Sequence, residues 1–158
     1  MQDNADIAHK IDIRHRALSV LNAELKLVVD AYCGEGVISR LLWQSVCEKI
    51  ICIDKDKNKL SKININKSQV IHGDNRKYIH MMNDADIIDC DAYGLVMPFI
   101  ELLPKNKLVV FTDGTPTKQK RVFNADNQFW LNVKLSLRDY VIEKSISGNA
   151  YYGYGWTK

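Results

Sequence analysis

Hydrophobic and polar positions along the chain follow two periods in turn. Residues 25–29 form a short, largely β-branched run suited to a buried strand, and beyond them Val37, Ile38, Leu41, Leu42 and Val46 recur at helical spacing. The same change of period repeats. Ile50, Ile51, Cys52 and Ile53 make a second buried strand within 48–54, ahead of a helix at 57–66. A third strand at 69–72 precedes a short helix at 76–82. A fourth, within 85–94, precedes a helix at 95–103 that tolerates Pro98 only in its first turn. The fifth, 107–112, ends in Asp113-Gly114. Five strands separated by helical segments imply right-handed crossovers and a parallel, doubly wound sheet.

Both ends of the chain depart from that rhythm. Residues 3–23 read as one helix packed on the sheet, with a loose apolar stripe of Ile7, Ala8, Ile11, Leu18 and Leu21, and with His9, Lys10, Arg14, His15 and Arg16 on a solvated face. After a polar segment at 115–127, two extended runs, 135–146 and 150–157, are joined by Ser147-Gly148-Asn149, a hairpin signal. In the last run Tyr152, Tyr154 and Trp156 share one face, for packing under helices, and Gly153 and Gly155 share the other. The whole is an α/β, Rossmann-like domain spanning 1–158, with a mostly parallel seven-stranded sheet and a C-terminal antiparallel hairpin.

Composition narrows the class. With 158 residues, 46% of them hydrophobic, the chain has material for one sizeable core. A net charge of +3 suits an anionic partner without declaring one. Cys33, Cys47, Cys52 and Cys90 form no C-x-x-C pair and read as reduced core residues. No apolar run reaches the ~20 residues of a membrane span and no signal peptide opens the chain, so a cytoplasmic location without membrane association is expected. His72 and His80 lack ligand spacing, and no metal is expected.

Candidate chemistry gathers at the carboxyl ends of the strands, where ligands bind in open α/β sheets. Between strand one and its helix, Gly34 and Gly36 allow a sharp turn and close approach to the backbone. A dinucleotide fingerprint needs a third glycine where Ser39 stands, which disfavours a nicotinamide enzyme. Asp54 ends strand two about 20 positions beyond the loop, where a carboxylate grips a ribose diol, although a helix cap would also account for it. Asp74, beside Asn75, ends strand three, and Asp89 and Asp91 share one face of strand four. Buried acids are costly unless hydrogen-bonded, so these have either a ligand or a capping role.

Asp-x-x-x-Gly-x-Gly after strand one, acids ending strands two, three and four, and the terminal hairpin together resemble the class I S-adenosylmethionine-dependent methyltransferases, from about Leu25 onward. The resemblance implies S-adenosylmethionine as cofactor. It places Asp30, Cys33, Gly34 and Gly36 along the methionine part, Asp54 on the ribose and Asp74 at the adenine amino group, with Asn75 and Asp89 in the same cofactor site. Ile-Asp-Cys-Asp-Ala-Tyr-Gly resembles the Ile-Asp-x-Asp-Pro-Tyr-Gly of tRNA guanine N2-dimethyltransferases, with Ala92 in place of the proline. Those enzymes carry a further RNA-binding domain.

On that resemblance the expected reaction is methyl transfer to an exocyclic amino group of a base in RNA. Asp91 accepts an N–H hydrogen bond and Tyr93 stacks on the extruded base. Lys118, Lys120 and Arg121, after strand five, are candidates for holding the phosphate backbone, unless a protein partner supplies RNA binding. The alternatives are methylation of a protein or small molecule, and a cofactor-binding scaffold without turnover.

Overall fold

The computed structural model describes residues 4–21, 23–120 and 124–158. Seven strands form one sheet in the order β3-β2-β1-β4-β5-β7-β6. They are β1 (Leu27–Asp30), β2 (Lys49–Asp54), β3 (Ser68–His72), β4 (Ile87–Asp91), β5 (Leu108–Asp113), β6 (Leu137–Lys144) and β7 (Tyr151–Thr157). The first five run parallel, and β7 enters antiparallel between β5 and β6. This is the doubly wound sheet with a terminal hairpin that the periodicity implies. The Ser145 hydroxyl closes the hairpin by accepting from the Asn149 and Ala150 N–H groups. A Cβ at Gly153 would stand 2.6 Å from the Val141 carbonyl, so only glycine lets the two strands pair there.

Alternate residues of each strand feed two cores. Val29, Ile51, Ile88, Cys90, Val109 and Phe111 face α4 (Met97–Ile100) and α6 (Ala125–Ser136), whereas Val28, Ile50, Cys52, Ile87 and Val110 face α1 (Asn4–Leu18). Tyr152 and Tyr154 join the second core beside Ile13 and Ala17 of α1, as expected for an aromatic face under a helix.

Several element bounds differ from the pattern-based expectation. α1 stops at Leu18, and its buried stripe is Lys10, Ile13, Arg14 and Ala17, while Ala8 is exposed. The helix is therefore turned relative to the apolar stripe, because the sheet beneath it offers carboxylates. After the glycine loop the chain makes a π-helical turn, Ser39–Trp43, before α2 (Gln44–Val46). The extra residue in that turn buries Ile38, Leu42 and Trp43 and leaves Leu41 exposed. α3 covers only Lys57–Leu60, since Ile63 and Ile65 beyond it pack beneath the glycine loop in extended chain. A 3-10 segment, Asn75–Asp84, follows β3.

Residues 115–127, expected to be polar connection, hold α5 (Thr115–Gln119) and the start of α6, whose signal is the i, i+4 pair Phe129 and Val133. Among the described residues no helix is long and apolar enough to cross a membrane.

Candidate functional site

The carboxyl ends of β1, β2 and β4 meet beneath the glycine loop. Gly34 (φ +54°) and Gly36 (φ +70°) both need the left-handed backbone that glycine takes without strain. Asp54 fixes this turn: its Oδ2 accepts from the Gly34 N–H at 2.8 Å, and its Oδ1 accepts from the Asp56 N–H at 2.9 Å. Asp54 is thus not the helix cap, a role that Asp56 takes by accepting from the Asn58 and Lys59 N–H groups. Asn75, buried, donates to the Ala31 carbonyl at 3.1 Å and ties the end of β1 to the segment after β3. Asp74 caps that segment and pairs with Arg76 at its exposed rim.

The loop roofs a cavity of about 320 Å³ lined by Asp30, Cys33, Gly34, Asp91 and Tyr93, together with Tyr32 and Lys59. Asp30 lies at its floor. Its Oδ2 accepts from the Ser39 hydroxyl at 2.5 Å, whereas its Oδ1 is buried with no hydrogen-bond partner. Burial, and next the neighbouring Asp89 carboxylate, push the Asp30 carboxyl well above the usual range. The neighbouring Cys52 sulfur and burial push the Cys33 thiol well above its usual range, which disfavours a thiolate nucleophile at the loop.

Strand four brings a correction. Asp89 does not line the cavity: it is fully buried, held by the Arg14 Nε and Nη2 at 2.7 and 2.6 Å and by the Trp43 indole N–H at 2.7 Å. Both oxygens are taken up by Arg14 and Trp43, so Asp89 anchors α1 and the π turn and does not face the cavity as Asp91 does. Asp91, one period on, does reach the cavity. Lys10 Nζ lies 2.7 Å from its Oδ1 and donates to its Oδ2 at 3.0 Å, with Arg14 Nη2 4.0 Å away. Burial would raise the Asp91 carboxyl, but Arg14 and Lys10 outweigh it and hold its pKa below the usual range.

Lys10 and Arg14 are accordingly not part of a solvated face, and His9 and Arg16 pair with Glu143 of β6; of the basic cluster only His15 is exposed. The sequence held a signal for this: Lys10, Ile13, Arg14 and Ala17 recur at i, i+3, i+4 and i+7.

Tyr93 is 79% exposed at the cavity mouth, with the ammonium groups of Lys10 and Lys59 each 5.7 Å from its ring centroid. Lys59, read as a solvated lysine of α3, thus joins the cavity wall. Gly114 lets the end of β5 approach the backbone of this loop, because a Cβ there would stand 3.1 Å from the Tyr93 carbonyl. Asp113, fully buried, accepts from the Val96 and Thr115 N–H groups and fastens the loop after β4 to the end of β5. Lys118 and Lys120 are exposed on and after α5 and do not line the cavity, and Arg121 lies outside the described residues. Among the described residues no three His, Cys, Asp or Glu side chains are placed to hold a metal.

No family model matches the chain, and a search of curated proteins found no match. Solved structures do match in fold. An rRNA methylase from Streptococcus thermophilus shares 13% identity at a TM-score of 0.64, with 100% of both chains covered. TYW2 of M. jannaschii, in complex with AdoMet, shares 15% at a TM-score of 0.61, over 98% of this chain and 75% of that one. Spermidine synthase from Thermotoga maritima shares 12% at a TM-score of 0.73, over 99% of this chain and 61% of that one. The chain has the class I methyltransferase fold.

Proposed function

We propose that this chain transfers a methyl group from S-adenosylmethionine to an exocyclic amino group of a base in RNA, with transfer RNA as the first substrate to try. The observation that carries the reading is the orphaned Asp30 Oδ1 at the floor of a cavity roofed by the glycine loop. A buried carboxylate oxygen with no donor fits a cationic ligand, and the positive-φ loop leaves room for its backbone contacts. Asp30 would face the cofactor's ammonium, Gly34 and Gly36 its methionine part, and Asp54 its ribose.

Bound there, S-adenosylmethionine supplies an electrophilic methyl group on a sulfonium that departs as a neutral thioether. The acceptor nitrogen would form the new N–C bond with its lone pair as the C–S bond breaks, and would release one proton to solvent. Asp91 serves by accepting an N–H hydrogen bond, which turns the lone pair out of conjugation with the ring and toward the methyl group. Tyr93 offers an exposed ring on which the extruded base stacks. Lys118 and Lys120, which follow the carboxyl end of β5 next to β4, are the proposed phosphate contacts together with Arg121 of the same sequence segment, alone or with a partner protein. A second reading, a cofactor-binding subunit without turnover, draws on the Lys10–Asp91 pair already formed and on Ala92. Methyl transfer to RNA from labelled cofactor decides between them.

Calorimetry provides the first test. S-adenosylmethionine is expected to bind and NAD not to; the reverse result removes the assignment. Asp54→Ala is expected to cost ~1.5–3 kcal/mol of cofactor affinity, the range for hydrogen bonds to a charged group. It also frees the Gly34 and Asp56 N–H groups, so an unchanged affinity would leave Asp54 a loop clamp alone.

Affinity should also depend on pH through Asp30. Its carboxyl is raised in the free protein, and a bound cation favours the ionised form, so binding releases a proton. Affinity then climbs with pH, by up to about tenfold per unit, until the pH passes the raised value, and is flat beyond it. Asp30→Asn should abolish the slope. A slope that persists in Asp30→Asn would assign the proton elsewhere.

A further inference from the structure

We propose that Lys10, delivered by α1, is the positioning residue of the acceptor side of the cavity: its ammonium keeps the Asp91 carboxylate ionised and fixed at the cavity wall. The inference rests on Asp91 being the group that receives the acceptor's N–H. Lys10 Nζ lies within 2.7 Å of Asp91 Oδ1, and the two side chains are only 7% and 12% exposed. The same ammonium stands 5.7 Å from the centre of the Tyr93 ring, so one cation touches both residues of the proposed acceptor site.

Stability alone does not call for a lysine at this position. Ile13 and Ala17 already seat α1 on the sheet, and burying an ammonium is costly even when it is paired. An apolar residue at position 10 opposite a neutral partner would pack the helix at least as well. What the lysine adds is a second positive charge on Asp91, at 2.7 Å and closer than the Arg14 guanidinium at 4.0 Å.

The surroundings of Asp91 bear this out. From α1 it faces Lys10 and Arg14, from its own strand Asp89, from β1 Asp30, from β5 Thr112 and from β7 Tyr152. Lys59 lies on the same cavity wall. Arg14 is committed to Asp89 through two hydrogen bonds and stays 4.0 Å from Asp91. With Lys10 gone, Asp91 shares that single guanidinium with two further acids. Its proton affinity then rises, and less of it is ionised to accept the amine's N–H.

The test has two independent readouts. In the cofactor-free protein, carboxyl-¹³C aspartate NMR, with the Asp91 signal assigned from Asp91→Asn, is expected to show Asp91 titrating at higher pH in Lys10→Met than in the wild type. Lys10→Arg should restore the midpoint. If Lys10→Met fails to fold, Lys10→Gln, which keeps a donor without the charge, serves in its place. An Asp91 midpoint unmoved by loss of the charge overturns the inference. On an accepted RNA, the acid limb of the kcat profile should move up with the NMR midpoint while KM for S-adenosylmethionine stays constant, each unit lowering the rate on that limb about tenfold. A fall in kcat without displacement of the limb would reduce Lys10 to a packing role and also overturns it. Should the wild type methylate no RNA while the NMR midpoint shifts as expected, the methyl-transfer reading fails and the hold of Lys10 on Asp91 stands.

Discussion

Asp91→Asn is expected to lower methyl transfer on an accepted RNA by at least ~100-fold, the scale for losing one oriented electrostatic partner, and to leave S-adenosylmethionine affinity near that of the wild type. The asparagine keeps the volume of the side chain at the cavity wall but removes the charge that draws the amine's proton. Cofactor binding survives because the groups proposed to hold it, Asp30, the glycine loop and Asp54, belong to β1, the turn after it and β2, none of which uses Asp91 as a hydrogen-bond partner. Alanine is the poorer choice. It removes the oxygen that accepts from the Lys10 ammonium as well as the charge, whereas asparagine keeps a carbonyl acceptor there, so loss of folding is better separated from loss of activity. Single-turnover kinetics on transfer RNA, alongside calorimetry of the cofactor, separate the two effects. Wild-type turnover by Asp91→Asn would end the catalytic assignment.

Arg14→Met is expected to destabilise the fold by ~3–5 kcal/mol, a large part of the ~5–15 kcal/mol that a domain commands. Arg14 and Asp89 are both 0% exposed and are joined by two hydrogen bonds. The surviving Asp89 would keep only the Trp43 indole N–H, too little for a buried carboxylate. Pairing the change with Asp89→Asn removes the stranded charge and leaves an acceptor for the indole, so the double variant recovers most of the loss. Urea melts of the wild type, the single and the double variants measure this. A single variant within 1 kcal/mol of the wild type would show that the pair contributes nothing. Because Asp89 lies behind the cavity, Arg14→Met/Asp89→Asn is also expected to keep its cofactor affinity, unlike Asp30→Asn.

Much of the site could be read in the sequence because its signals are local. A glycine loop is written in adjacent residues, and acids at strand ends follow from where each apolar run stops. Asp30, Cys33, Gly34, Asp91 and Tyr93 accordingly come together at one cavity. The roles of Asp56 and Asp89 were less legible. Two aspartates that stand close to a helix start look alike until the backbone shows that Asp56 caps α3 and Asp54 clamps the turn. Asp89 and Asp91 share a strand face, and only the helix above them divides an anchor from a cavity residue.

By itself the sequence determined the number of strands and their succession along the chain, their parallel winding, the closing hairpin and the placement of acids at the carboxyl ends of the strands. These follow from period, turn residues and run length, which belong to neighbouring positions. Tertiary structure decided how α1 faces the sheet. A helix buries the side that its support can satisfy, and here the support presents Asp89 and Asp91, so Lys10 and Arg14 turn inward with Ile13 and Ala17. It also decided the π turn that carries Trp43 onto Asp89, and the packing that leaves Asp30 Oδ1 without a partner. Each of these depends on charges and donors more than forty positions apart in the chain, whose energies exist only once water is excluded between them.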